Sequence, residues 1–201
     1  VQSLYRLLEQ LTNVFKILKH LNVADLLKLQ ALIKSVRFEK DEVIARPGDW
    51  HPYFILIRKG IIRTYEIKSS GEEQTTRIAK EGDVAGCSAS VISDGPSDEY
   101  LQATEKTKVL LVNIEEFKEL AKDNPRFQKV FNDGLMEIIQ DAIDRIRFFV
   151  MLTPEERYLK LQNEQPEIIQ RMPQKYLASF LGVTTVSLSR IRSRIAKEIS
   201  K

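Results

Sequence analysis

The stretch MPQKYLASFLGVTTVSLSRIRSRI, Met172 to Ile195, decides how the chain is read. Leu177, Ala178, Leu181, Gly182, Val183, Leu188 and Ile191 stand at the spacing of two short helices that cross closely and share a small core, a helix-turn-helix. Each residue type has a physical task there. Ala178 is small where the second helix passes over it, and Gly182 permits the positive φ of the turn without a Cβ penalty. Leu177, Leu181, Val183, Leu188 and Ile191 fill the core, and Thr184 is placed to cap the second helix. Thr185, Val186, Ser187, Ser189, Arg190 and Arg194 then face outward. Short polar residues at a helix start, with arginines behind them, suit a helix whose N-terminal end enters the major groove of double-stranded DNA. The other reading open to this stretch is a helical hairpin that caps the upstream domain or joins a dimer, its arginines a solvated face.

The charge distribution favours the first reading. The 201 residues carry 31 Lys+Arg and 28 Asp+Glu, a net +3 that says little by itself. From Thr153 to Lys201 nine basic residues stand against five acidic ones, which leaves 22 against 23 for residues 1 to 152. From Gln170 onward seven basic residues face Glu198 alone, a net +6 within 32 residues. Such a concentration points to an anionic partner.

Upstream, Leu4, Leu7, Leu8, Leu11, Val14, Phe15 and Leu18 predict an amphipathic helix over residues 3 to 20. A second helix after Asn22 is expected to carry Leu26, Leu29, Ile33 and Val36 on its apolar face. From Phe38 to about Leu111 short β-branched and aromatic runs alternate with turn signals: Val43-Ile44, Tyr53 to Ile57, Ile61 to Ile67, Thr75 to Ile78 and Val109 to Ile114. Many short strands at even spacing predict a small antiparallel barrel or jelly roll. Helix returns at Glu115 to Lys122. After Asn124 as N-cap, one long helix runs from Pro125 to Phe149, with Phe127, Val130, Phe131, Leu135, Ile138, Ile139, Ala142, Ile143, Ile146 and Phe149 along its apolar stripe. That stripe is wider than a small barrel covers, so coiled-coil dimerisation is expected. Thr153-Pro154-Glu155-Glu156 opens a further helix ahead of the helix-turn-helix.

A composition of 43% hydrophobic and 29% charged residues, with 8 Gly and 7 Pro, excludes disorder and collagen. The single cysteine, Cys87, excludes a disulfide framework and any iron–sulfur or zinc-thiolate cluster within one chain, and favours a reducing, cytoplasmic setting. The longest charge-free stretch, Tyr176 to Ser189, contains Ser179, Thr184, Thr185 and Ser187, so no membrane span is expected. Arg6, Glu9, Lys16 and Lys19 within a helical pattern do not read as a signal peptide. The two histidines, His20 and His51, are too few for the metal cluster of a jelly-roll enzyme and are expected at the surface. Cys87 is expected as a small buried hydrophobe and Trp50, beside Pro52, as packing a turn. No catalytic residue, metal site or cofactor is expected.

Several pieces in order carry a resemblance: Gly48-Asp49, Tyr53 to Leu56 followed by Gly60, Glu81-Gly82-Asp83-Val84 with Gly86, then Leu177-Ala178 through Leu181-Gly182 and Ser187-Leu188-Ser189-Arg190-Ile191. On these residues nearly the whole chain resembles the Crp/Fnr family of bacterial transcription regulators. The resemblance implies an effector pocket at Gly86, Cys87, Ser88, Ser97, Asp98, Ala142 and Ile143, and the sequence departs from the family there. Cyclic-nucleotide binders follow the phosphate-loop Gly with a Glu that holds the ribose, and Cys87 takes that place. Their Arg-Ser or Arg-Thr pair falls on Ser97 and Asp98, and an aspartate facing a phosphate repels it. The two base-contacting hydroxyls of the cyclic-AMP receptor fall on Ala142 and Ile143. A response to cyclic AMP in the usual mode is therefore not expected, while another small-molecule effector, or none, stays open. At the DNA end Thr185-Val186 replaces the family's frequent Arg-Glu. Arg190 is retained, suited to a bidentate guanine contact, and Val186 suits a thymine methyl. Only ten residues of the sequence follow Ile191, too few for the family's β-wing, which is either absent or lies beyond the end of this sequence.

The expectation is an α+β chain. Residues 1–152 form a cyclic-nucleotide-binding-like jelly roll with flanking helices and a dimerisation helix over 125–149, and residues 153–201 form a wingless helix-turn-helix domain. Thr185, Ser187 and Arg190 face bases, Lys175, Arg192, Arg194 and Lys197 hold phosphates, and Thr184 and Ser189 complete the surface. The partners are double-stranded DNA, a second copy of the chain and an unidentified effector, with RNA polymerase as a further candidate and no membrane. The competing class is a ligand-binding or scaffolding regulatory module whose basic tail contacts protein.

Overall fold

Asn22 opens the helix Val23–Leu32 (α1) by a reciprocal cap, its side chain accepting from the Asp25 N–H and the Asp25 carboxylate from the Asn22 N–H. The computed structural model describes residues 19–199 apart from residue 94, with side chains as far as Lys197. The helix expected over residues 3 to 20 lies outside the described residues, except for Lys19 and His20, which form a turn.

The strands that follow are Ile33–Phe38 (β1), Val43–Ala45 (β2), Tyr53–Lys59 (β3), Ile62–Ile67 (β4), Glu73–Ala79 (β5) and Val84–Ala85 (β6). After the short helix Ser88–Ile92 (α2) come Tyr100–Ala103 (β7) and Thr107–Asn113 (β8). They make two four-stranded sheets, ordered β1-β8-β3-β6 and β2-β7-β4-β5, the jelly roll that the turn spacing predicts. One expectation is corrected. Ile33 and Val36 do not extend the helix but stand in β1, opposite Val112 and Val109 of β8. Their three-residue step fits a helix face, yet both are β-branched, and the antiparallel ladder with β8 pairs the backbone along six residues.

The chain then forms the helices Ile114–Lys122 (α3), Pro125–Met151 (α4), Pro154–Glu164 (α5), Pro166–Arg171 (α6), Gln174–Leu181 (α7) and Thr185–Ile199 (α8). It divides into two compact units, Val1–Thr64 with Ile78–Ile139, and Tyr65–Arg77 with Gln140–Lys201. None of the described helices is long and apolar enough to cross a membrane.

In the first unit the period-2 pleat of β3 and β8 divides their side chains between two cores. Ile55, Ile57 and Val109 join Ala45, Ile62, Ala85, Cys87 and Leu101. Leu56 and Leu110 join Leu26, Leu29, Phe117, Phe127 and Val130 from the helices. Asp25, 1% exposed, ties α1 to the start of α4. It accepts hydrogen bonds from Arg126 Nε and Asn124 Nδ2, and the Arg126 guanidinium lowers its carboxyl from 3.8 to about 2.

The second unit is helical apart from the strand residues at its start. A Thr153–Glu156 capping box opens α5, and Pro154 and Pro166 start α5 and α6. The sequence reading lacks α6. Leu161, Ile168, Leu177, Ala178, Leu181, Leu188, Ile191 and Ile195 are buried.

Along α4, Phe127 and Val130 are buried as expected. Ile139, Ile143, Ile146 and Phe149 are exposed, and so are Met136, Val150 and Met151. Met136, Ile139, Ile143, Ile146 and Val150 alternate three- and four-residue steps, the seam of a heptad repeat.

Candidate nucleic-acid interface and effector pocket

Gly182 ends α7 at φ 69° and ψ 36°, the left-handed conformation expected of the turn. A Cβ there would stand 2.8 Å from Phe149 Cε1 and 3.1 Å from Arg157 Nη1, so the site requires glycine on two grounds. Ala178 is 1% exposed, and its carbonyl accepts from the N–H groups of Gly182 and Val183. Thr184 caps α8 as predicted: its Oγ1 accepts from the Ser187 N–H at 3.1 Å and donates to Ser187 Oγ at 3.0 Å.

The cap separates the expected DNA-facing residues. Thr184 and Ser187 spend their hydroxyls on each other, and Ser187 is half-buried. Thr185, Val186, Ser189 and Arg190 are exposed and line one shallow depression with Gln174. Gln174 is absent from the sequence reading; its Nε2 donates to the Thr185 carbonyl at 3.3 Å. Arg190 makes no ion pair or hydrogen bond among the described residues and also lines a second groove with Thr153, Glu155 and Arg194.

The other cations differ from one another. Lys175 is exposed, its Nζ 4.5 Å from the Tyr176 ring centroid. Lys197 is exposed. Arg194 pairs with Glu155 at 2.9 Å. Arg192 is half-buried, with its guanidinium 5.6 Å from the Tyr158 ring centroid. The sequence marks all four as candidate phosphate contacts and cannot tell which find partners on α5.

The pocket residues of the first unit stand around Cys87, which is fully buried. A Cβ on Gly86 would lie 3.1 Å from the Tyr53 carbonyl, a close backbone approach. Ser88 Oγ donates to Glu99 Oε2 at 2.6 Å, and Ser97 Oγ donates to the Glu99 carbonyl at 2.7 Å. Ser97 is buried and Asp98 exposed. Burial pushes the Cys87 thiol up; a hydrogen bond with Ser97 opposes this, and the negative charges of Glu99, Asp98 and Asp49 reinforce it. Glu99 and Asp49 are members of this neighbourhood that the sequence reading lacks. Ala142 and Ile143 lie on α4, both exposed.

Trp50 is 52% exposed rather than packed on its turn. Asp49 closes that turn instead, its carboxylate accepting from the Arg46 N–H and its own N–H donating to the Arg46 carbonyl. The histidines are half-buried rather than surface residues. His20 Nε2 lies 3.3 Å from Asp133 Oδ2, and burial lowers His51, which packs edge-on against Tyr53. Among the described residues no group of three or more His, Cys, Asp or Glu could hold a metal ion.

Residues 35–124 match the model of the cyclic nucleotide-binding domain family. Over 190 residues the chain is 26% identical to the anaerobic regulatory protein of Pasteurella multocida, covering 88% of this chain and 68% of that one. The fold is similar to that of a crp/fnr-family transcriptional regulator from Eubacterium rectale, with TM-score 0.71 and 19% identity over 92% of this chain and 88% of the other. It is likewise similar to FixK2 from Bradyrhizobium japonicum, with TM-score 0.67 and 22% identity over 83% and 85%. The Pasteurella and Eubacterium relatives are named as regulatory proteins. Residues 35–124 carry the cyclic nucleotide-binding domain, and with a jelly roll, a long helix and a helix-turn-helix in that order the whole chain is similar to regulators of the Crp/Fnr type.

Proposed function

We propose that the protein is a homodimer that binds a near-palindromic site in double-stranded DNA, placing the start of α8 from each subunit into one of two major grooves roughly 34 Å apart. The observation that carries this reading is the exposed quartet Thr185, Val186, Ser189 and Arg190 at the start of α8, with Arg190 unpaired among the described residues. Thr185, Ser189 and Arg190 contact bases and Lys175 and Lys197 contact phosphates. Arg192 and Arg194 contribute less because each already has a partner within its own chain. The heptad seam of α4 supports dimerisation, and DNA binding places the protein in the cytoplasm.

The barrel does not answer to cyclic AMP in the family's usual mode. Ser97 stands where a phosphate-binding arginine would, and Asp98, Asp49 and Glu99 put negative charge around Cys87. Retention of a labelled palindrome is the test. The full chain retains it against excess random DNA, retention falls steeply as salt rises, and added cyclic AMP leaves the affinity unchanged. Salt-insensitive retention, or none, removes the DNA reading in favour of a tail that contacts protein. Tighter binding with cyclic AMP removes the effector reading alone.

A further inference from the structure

Three elements of the second unit meet at two successive residues of α7, Ser179 and Phe180, on the far side of the Gly182 turn from the start of α8. Ser179 Oγ accepts from the Thr75 N–H at 2.7 Å and donates to the Glu73 carbonyl at 2.9 Å. Gln74 Nε2 donates to the Ser179 carbonyl at 2.5 Å. From α4, Arg145 Nη2 donates to the Phe180 carbonyl at 2.7 Å and to the Thr75 carbonyl at 3.4 Å. The Arg145 guanidinium also lies 3.9 Å from the centroid of the Phe180 ring and 4.4 Å from that of Phe149.

These partners answer specific backbone needs. Both carbonyls belong to the last turn of α7, where a helix runs short of intrahelical donors: Arg145 serves that of Phe180, and Gln74 gives that of Ser179 a second donor beside the Gly182 N–H at 3.1 Å. Strand β5 is last in its sheet order, so it has an edge with backbone groups to satisfy, and the Ser179 hydroxyl satisfies two of them. Arg145 has no carboxylate partner among the described residues. Burial, with the nearby Arg157 charge, lowers it to about 10, and aromatic faces and carbonyl oxygens do the work an acid would otherwise do. A guanidinium in such surroundings is held by planar geometry that a lysine does not reproduce.

We propose that Ser179 and Arg145 are positioning residues for DNA binding, clamping α7 to the start of β5 and the end of α4 so that α8 is presented at one fixed angle. The inference rests on the DNA-binding reading. Neither residue belongs to the exposed quartet at the start of α8, so the clamp leaves the reading surface open and acts through the Gly182 turn and the shared core. For a two-fold reader the angle sets the half-site spacing that both subunits can satisfy together, and a preset angle spares the ordering cost at binding.

The experiment measures the affinity of the full chain, wild type and variant, for labelled palindromes with the preferred spacer and with spacers two base pairs longer. Ser179→Ala is expected to weaken binding to the preferred spacer about five- to tenfold, one or two hydrogen bonds' worth. Arg145→Met is expected to weaken it more, and Arg145→Lys not to restore it. In all three the preference between spacers flattens while the slope of affinity against salt is unchanged, because no phosphate contact is lost. Loss of folded protein alone would lower the active fraction and leave the spacer preference intact. Gln74→Ala, a change in β5 that removes the hydrogen bond to the Ser179 carbonyl and alters no residue of α7 or α4, is expected to flatten it too and serves where the other variants fail to fold. Wild-type binding with unchanged spacer preference in every variant overturns the clamp and leaves the DNA reading standing. Tighter binding in Ser179→Ala overturns it in favour of an autoinhibitory contact. A wild type that retains no DNA overturns both.

Discussion

Nη1 of Arg194 lies 2.9 Å from Oε2 of Glu155, so a cation of α8 is paired with an acid at the start of α5. The carboxylate is 27% exposed and the guanidinium 59%, which leaves the pair at the edge of the groove that Arg190 also lines. In Glu155→Gln the arginine gains freedom to reach a phosphate. DNA affinity is expected to rise a few-fold and the slope of log affinity against log salt to steepen by about 0.9. A salt titration of DNA retention checks it, and an unchanged slope would keep Arg194 out of the interface in both states.

Arg190→Ala is expected to cost about 1 to 3 kcal/mol at one base pair of each half-site and to relax specificity there. Affinities across a panel of single-position DNA variants give the answer. Equal losses on every sequence would make Arg190 a phosphate contact.

Ile146, 63% exposed, stands in the middle of the C-terminal part of the heptad seam. Ile146→Glu places two like charges in the seam of a dimer, so the mass by light scattering is expected to fall from dimer to monomer. Loss of bivalency should then lower DNA affinity by about 10² or more. A variant that stays dimeric locates the interface elsewhere.

Gly182→Ala forces a Cβ into left-handed backbone, at about 1 to 2 kcal/mol, and against Phe149 Cε1 at 2.8 Å. The melting temperature of the helical unit is expected to drop and hydrogen exchange around Gly182 and Val183 to accelerate. Unchanged exchange would show that Phe149 yields at little cost.

Asp25 has its carboxyl lowered in the fold from 3.8 to about 2 by Arg126. A depressed folded value means stability that is fully present above 3.8 and is lost as pH falls toward 2. Asp25→Asn is therefore expected to be less stable than wild type at neutral pH, with the gap closing on acidification through that window. Denaturant midpoints measured at several pH values decide it; a gap independent of pH would assign Asp25 a capping role alone.

The helix-turn-helix was legible in the sequence because its determinants are local. A small residue at Ala178, a glycine at Gly182 and apolar steps out to Ile191 act locally; Leu177, Ala178, Leu181, Leu188 and Ile191 are buried and Gly182 is left-handed, while Val183, expected in the core, is half-buried. The jelly roll was legible for a related reason, since turn residues and β-branched runs mark strands without knowledge of their partners. The expectation about cyclic AMP rested on the resemblance, which sets Cys87, Ser97 and Asp98 at positions where the family's binders hold the ligand.

Tertiary structure decided everything that depends on a partner far along the chain. Ile33 and Val36 became strand residues because β8 offers them a ladder. Arg192 and Arg194 turned to Tyr158 and Glu155, whereas Arg190, identical in chemistry, kept its exposure. Ser179 gave no signal in the sequence. It sits between core residues of a familiar motif, and its hydroxyl acquires meaning only when a strand edge more than a hundred residues earlier supplies one donor and one acceptor. Propensity and periodicity act over a few residues, so they specify which surface a helix presents; which side chains on that surface remain open is settled by the long-range charges and backbone groups that folding brings beside them.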